Sequence, residues 1–257
     1  MAARVRIGLL GMHGLHEQLV EAASRAKRRL KGVEFVSLPE IPRGMFPLGG
    51  AALKTPLREA AESIRRMLRR KELNAVLVIG SSHEGGYLLH ALKRRVDVVD
   101  SHVDASTPPE QARKSSFVTH ADHLSHAVGD GHLHSRKITF YSGSEKPQGI
   151  EFLRKHLPEA RLRQPHELRN ASSPVRDVDA DAFSLTEDLK ANVGSGNCHF
   201  QDLLESIARK PPVAIGLFEL PSPPKQRLYG KGRIPEQLEK LVVALARAHL
   251  QAAKTKK

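Results

Sequence analysis

The stretch "NAVLVIGSS", residues 74 to 82, runs through five apolar residues without a polar interruption and then stops at Gly80, Ser81 and Ser82. A strand that is apolar at every position has no solvent face. That condition is met in the middle of a parallel sheet covered by helices on both sides. The rest of the chain agrees with it. "RVRIGLLG" (4 to 11) reads as a strand, 15 to 30 as a helix, "VEFVSLP" as a strand, and 55 to 72 as a helix with Leu57, Ala60, Ala61, Ile64 and Leu68 on one face. Further strands are expected at "RVDVVDSHVD", "RKITFYSG", "ARLRQ", "PVRDVDADAF" and "PVAIGLFELP", and Pro235 opens a last helix striped by Leu238, Leu241, Val242 and Leu245. The expectation is an α/β fold: a three-layer, doubly wound sheet of about eight parallel strands flanked by helices, one domain over residues 1–257 without internal repeats.

Composition narrows the function classes. No apolar run reaches the roughly 18 to 20 residues of a membrane span, and "MAARVRIGLLGMHG" is too short in apolar content for a secretory signal, so a cytoplasmic protein is expected. A single cysteine, Cys198, excludes an internal disulfide and cysteine-rich zinc modules. Any metal must be held by His, Asp and Glu. The net charge of +13 raises the question of a nucleic-acid partner, but the basic residues are spread over helix-like faces and aromatics are only 4% of the chain, without the interleaving of single-strand readers. A solvated basic surface is the preferred reading.

In doubly wound sheets ligands bind outside the carboxyl ends of the strands, and in this chain the polar residues gather there. "LVIGSSHEGG" puts His83 just past one strand. "VVDSHVDAS" puts Asp100, His102 and Asp104 at every second position at the end of the next, so that an extended chain would project all three from one face. "VRDVDADAFS" repeats the pattern with Asp177, Asp179 and Asp181, and "IGLFELPS" closes an apolar run with Glu219. Carboxylates so crowded repel one another and resist burial unless a cation lies between them. Taken singly, each has an ordinary explanation as a loop or turn residue. Taken together, they make up nearly a full ligand set for two hard divalent ions.

These motifs, in this order over roughly residues 75 to 220, resemble the ureohydrolase family of arginase and agmatinase, with its Gly-Gly-Asp-His-Ser turn, Asp-Ala-His-x-Asp strand end and Ser-x-Asp-x-Asp strand. "DSHVD" is a close match, and "STP" after it is similar to the family's Asn-Thr-Pro; "GSSHE" keeps only the histidine of the first motif. The resemblance implies that His83 and Asp104 hold one ion, His102 and Asp181 the other, and that Asp100 and Asp179 bridge them. Family members use manganese. The third motif admits two registers, Asp177 with Asp179 or Asp179 with Asp181. The second is preferred because Arg176 would otherwise abut the metal pair.

The activity implied is hydrolysis of the guanidine or amidine group of a small cationic substrate, arginine- or agmatine-like, by a hydroxide held between two divalent ions. Asp181 would take a proton and Glu219 would pair with the guanidinium. His120, chosen from a loop that also offers His123, His126, His132 and His134, would pass a proton to the departing amine. A homo-oligomer, trimer or hexamer, is implied by the same resemblance. The related zinc deacetylases are disfavoured by the paired acids and by the absence of a His-His pair. A non-catalytic relative that binds metal as a scaffold is the alternative from outside the enzymes, motivated by the divergent "GSSHE" and the loop from 106 to 135.

Overall fold

The computed structural model describes residues 4–12, 14–41, 51–101, 103, 105–142, 147–183, 196–220 and 234–255. Ten strands are formed by them: β1 (Val5–Gly11), β2 (Val33–Ser37), β3 (Ala51–Leu53), β4 (Ala75–Ile79), β5 (Val96–Val99), β6 (Phe117–Thr119), β7 (Ile138–Tyr141), β8 (Arg161–Arg163), β9 (Val175–Asp179) and β10 (Ala214–Phe218). Eight of them make one sheet in the order β2-β1-β4-β10-β9-β5-β7-β8, with every neighbouring pair parallel. The central strands β4, β9 and β10 are buried at every residue, as their uninterrupted character requires.

Among the described residues eight helices flank it: α1 (His16–Lys27), α2 (Lys54–Arg69), α3 (Gly85–His90), α4 (Pro109–Lys114), α5 (His123–Gly129), α6 (Pro147–His156), α7 (Phe200–Arg209) and α8 (Ile234–Lys254). One apolar layer joins α1, α7 and α8 to the sheet through Leu19, Leu203, Ile207, Leu241 and Leu245; the other joins α2, α3, α5 and α6 through Leu57, Ile64, Leu88, Leu124 and Leu153. The apolar stripes read from the sequence are the surfaces that meet the sheet. Leu57, Ala61 and Ile64 of α2 and Leu238, Leu241, Val242 and Leu245 of α8 are all buried, each large one stabilising the fold by about 1.5–3 kcal/mol.

Two differences bear on the site. The strand expected over 95 to 104 ends at Val99, so Asp100 is its first residue beyond the sheet rather than the start of an extended acidic edge. The strand expected through Phe183 ends at Asp179, and Ala180–Ala182 turn into a 3-10 helix that carries Asp181 away from strand alternation. A small antiparallel pair, β3 with β6, was not foreseen from these short runs; it fastens the start of α2 to the chain before the histidine-rich loop.

Candidate metal centre

The four elements that carry the expected site residues are consecutive in the sheet. His83 follows β4, Glu219 follows β10, Asp177 and Asp179 end β9, and Asp100 follows β5, which is the spatial order β4-β10-β9-β5. Residues far apart in the chain thus meet along one sheet edge, where the strand order leaves a crevice for ligands. The register is level: Ile79, Leu217, Val178 and Val99 form one row across the four strands, with Asp177 one row before it and Asp179 and Asp100 directly after it.

His83 is the hub. Its ring is fully buried, and the two nitrogens face different acids. Nδ1 lies 3.6 Å from Asp100 Oδ2 and 3.6 Å from Asp179 Oδ2, and one ligand atom from each of the three residues falls within 4.8 Å of the others. Nε2 lies 2.9 Å from Asp177 Oδ1. Asp177 is itself completely buried and gathers two more imidazoles, His90 with Nε2 at 2.8 Å and His123 with Nε2 at 3.5 Å. The His83 and His123 ring centres stand 4.1 Å apart. The donors of His83, His123 and Asp177 likewise lie within 4.8 Å of one another.

The two acids of β9 respond oppositely to their surroundings. Burial alone raises a carboxyl pKa, but at Asp177 it is outweighed by His83, His123 and His90, which hold the group well below the usual range. At Asp179 burial is reinforced by the negative charge of Asp100 and then of Asp181, which the nearby His83 only partly offsets, and the pKa is driven well above the usual range. Asp177 is an anion already provided for by the protein. Asp179 and Asp100 form a buried like-charge pair on the Nδ1 side of His83, which is the environment in which a bound cation lowers the energy most. Oxygen and imidazole donors without thiolate suit hard or borderline divalent ions.

Glu219 closes the crevice beside His83. Its φ of 57° is in the left-handed region, a strain of about 1–3 kcal/mol for a side chain of this kind, and such strain is concentrated at functional sites. The turn is held because Leu220 donates to the Gly80 carbonyl (3.1 Å) and Glu219 Oε1 accepts from the His83 backbone N–H (2.9 Å). Burial raises the Glu219 pKa, while His83 and His120 lower it and Asp181 raises it, so these four groups share one neighbourhood. His120 is exposed, and its carbonyl accepts from His123 Nδ1 (3.2 Å). Asp181 is half-buried, and its backbone N–H donates to Asp179 Oδ1 (2.7 Å).

Of the residues expected in the site, His83, Asp100, Asp179, Asp181, Glu219 and His120 are brought to this crevice, while His102 and Asp104 lie outside the described residues. Arg176 points elsewhere: its guanidinium donates to the carbonyls of Ala171, Ser206 and Lys210. The sequence offered Asp177 as the alternative register and His123 as one of five loop candidates, but neither their association nor His90 was read from it. The one available signal of that association was Asp177 standing where the resembled motif has serine, two residues before the preferred acid pair. Of the other loop histidines, His126 faces Asp122 (3.3 Å), and His132 approaches the Tyr87 hydroxyl (3.2 Å) within a network that includes Arg58, Lys54 and Asp130.

No protein-family model matches the chain, and no curated protein matches it by sequence. The fold does find counterparts among solved structures. An arginase from Medicago truncatula is 16% identical with a TM-score of 0.68 over 97% of this chain and 87% of that one. Proclavaminate amidino hydrolase from Streptomyces clavuligerus is 16% identical with a TM-score of 0.64 over 97% and 94%. Formimidoylglutamase from Bacillus subtilis is 13% identical with a TM-score of 0.65 over 99% and 88%. The chain has the fold of these hydrolases, an eight-stranded parallel sheet between two layers of helices.

Proposed function

We infer that the chain is a divergent ureohydrolase, a binuclear-metal hydrolase of the guanidine or amidine group of a small cationic substrate. The observation that supports this best is the buried Asp100–Asp179 pair facing Nδ1 of His83 at adjacent strand ends of an arginase-like sheet. His83, Asp100, Asp179 and Asp181, with His102 and Asp104, would hold the ions, manganese being the metal the motif resemblance points to. When bound, such ions supply Lewis acidity and bring the pKa of water toward neutrality.

The chain's own residues have separate tasks. Asp177 accepts from Nε2 of His83 and so leaves the Nδ1 lone pair turned toward Asp100 and Asp179, the carboxylate–histidine arrangement that orients metal ligands. Asp181 would accept a proton from water, and His120 would protonate the departing amine. Glu219, strained, carboxylate-bearing and next to both, anchors the cationic end of the substrate through charge-assisted hydrogen bonds.

The test is metal content together with release of urea from guanidino compounds and of formamide from formimidoyl compounds, assayed as a panel in the presence of manganese. Two ions per chain and turnover of one panel member are expected. Metal binding without turnover of any would favour the scaffold reading, and failure to bind metal would end both.

A further inference from the structure

At the far edge of the sheet one face carries no α-helix among the described residues. On the side that carries Val99 and Tyr141, α1, α7 and α8 cover the sheet toward β2, but over β7 and β8 the described residues place only the 3-10 turn Pro165–Asn170. The floor there carries mostly polar side chains. Register sets Asp97, Thr139 and Arg161 side by side across β5, β7 and β8, with Val99, Tyr141 and Arg163 in the next row on the same face. A cavity of about 290 Å³ opens above this floor, bordered also by Arg95 and Lys137.

The charges around it do not balance. Asp97 is saturated by the backbone N–H groups of Ser172 (2.8 Å) and Ser173 (2.7 Å) and by the Ser173 hydroxyl (2.8 Å). Glu167 is engaged by Arg163 (2.9 Å) and by the Gln164 N–H (2.9 Å), and Arg136 by Glu159. Arg95, Lys137 and Arg161 remain around the cavity with no acidic partner among the described residues. The root of Arg95 is fixed, since its carbonyl accepts from Val175 (3.3 Å). Burial pushes the Tyr141 phenol up to about 12, so it stays protonated and able to donate.

A cavity bordered mainly by charged and hydroxyl-bearing side chains gives little reason for an apolar helix or strand face to dock, and its volume sits just below the roughly 300–1,000 Å³ of small-ligand pockets. Guanidinium forks beside an ammonium and hydroxyl donors match one chemistry. We propose that this pocket binds a small multivalent oxyanion, a molecule bearing phosphate or several carboxylates. The site is independent of the metal centre, although Asp97 lies on β5, which ends at Val99 just before Asp100, about 10 Å further along.

Calorimetric titration of the full chain at low salt with inorganic pyrophosphate, and separately with citrate, tests it. Saturable one-to-one binding is expected for at least one probe, and the tighter of the two identifies phosphate or carboxylate as the source. Arg95→Gln and Arg161→Gln, both exposed and free of packing duties, should each weaken it on the order of tenfold or more. Lys137→Gln gives a second reading if an arginine variant melts early. Arg113→Gln with Lys114→Gln on α4 should leave binding as it was. Absence of saturable binding of either probe, or equal weakening by the α4 control, would overturn the proposal, the latter by reducing the effect to diffuse surface charge.

Discussion

Replacing Asp177 by asparagine keeps the volume of the side chain and removes its charge. The carboxylate accepts from His83 at 2.9 Å and His90 at 2.8 Å, with His123 at 3.5 Å on the same oxygen as His90. An amide offers one oxygen where two were used. Its NH₂ then meets an imidazole N–H, donor against donor, in a place water does not reach. Losing one hydrogen bond to a charged acceptor costs about 1.5–3 kcal/mol, and the stranded buried donor adds about 1–3 kcal/mol. A destabilisation of about 3–5 kcal/mol is expected, in line with breaking a buried pair, and at roughly 2–4 °C per kcal/mol it lowers the melting point by roughly 10 °C. The affinity of the centre for manganese should fall about 10- to 100-fold, because nothing then fixes which nitrogen of His83 carries the proton. The folded pKa of Asp177 is depressed, so its contribution is fully present above the unfolded value near 4 and is lost as pH falls through the lower folded value. The gap between wild type and variant should therefore narrow below about pH 4. Denaturant unfolding at pH 7 and pH 3, with manganese calorimetry at pH 7, measures all three. A gap under about 1 kcal/mol at pH 7, or one unchanged at pH 3, would refute the role given to this carboxylate.

Asp179→Asn should do the reverse in metal-free protein. The folded pKa of Asp179 is raised, so it weakens the fold at neutral pH, and chelator-treated wild type should gain stability as pH falls through that raised value while the variant does not. With manganese present the order should invert, since wild type alone gains the stabilisation of bound ions, which thermal melts with and without metal will read. Glu219→Gln should retain the fold and both ions, yet lose roughly one to two orders of magnitude in turnover, followed by urea release on the substrate found in the panel. Gly86→Ala would set a Cβ 2.7 Å from Asp177 Oδ2 and 2.8 Å from His123 Cδ2, and should cost about 1–3 kcal/mol with weakened metal binding; a neutral result in denaturant melts would mean that α3 yields freely.

The architecture was legible because it depends on periodicity. Unbroken apolar runs gave β4 and β10, and the stripes of α2 and α8 gave the helix faces. The strand ends were overrun for a physical reason: alternating acids look extended, but the sheet stops where pairing partners stop, at Val99 and Asp179. His83, Asp100 and Glu219 were readable as polar residues terminating apolar strands. The environment of Asp177 was not, since His90 lies on a helix 87 residues away and His123 on another, and only the packing of α3 and α5 over β9 brings them to it. His90 ends a short helix that has no amphipathic signature of its own; all six of its residues are buried.

The spatial order β4-β10-β9-β5 also decides when the crevice can exist. The hydrogen bond between Glu219 and the His83 backbone spans 136 residues, and the bond between His83 and Asp177 spans 94. β4 and β5 are made early but are not neighbours; two strands from the second half of the chain must slide in between them. During synthesis, therefore, both early strands wait with open hydrogen-bonding edges, the condition in which chains pair with one another or need a chaperone. Neither half of the chain can assemble the centre alone. A polypeptide halted between β5 and β9 has the histidine and the first acid in hand and no floor between them, and one halted before β10 still lacks the strand that joins β4 to β9, so metal capture should come as the closing step of folding rather than its nucleus.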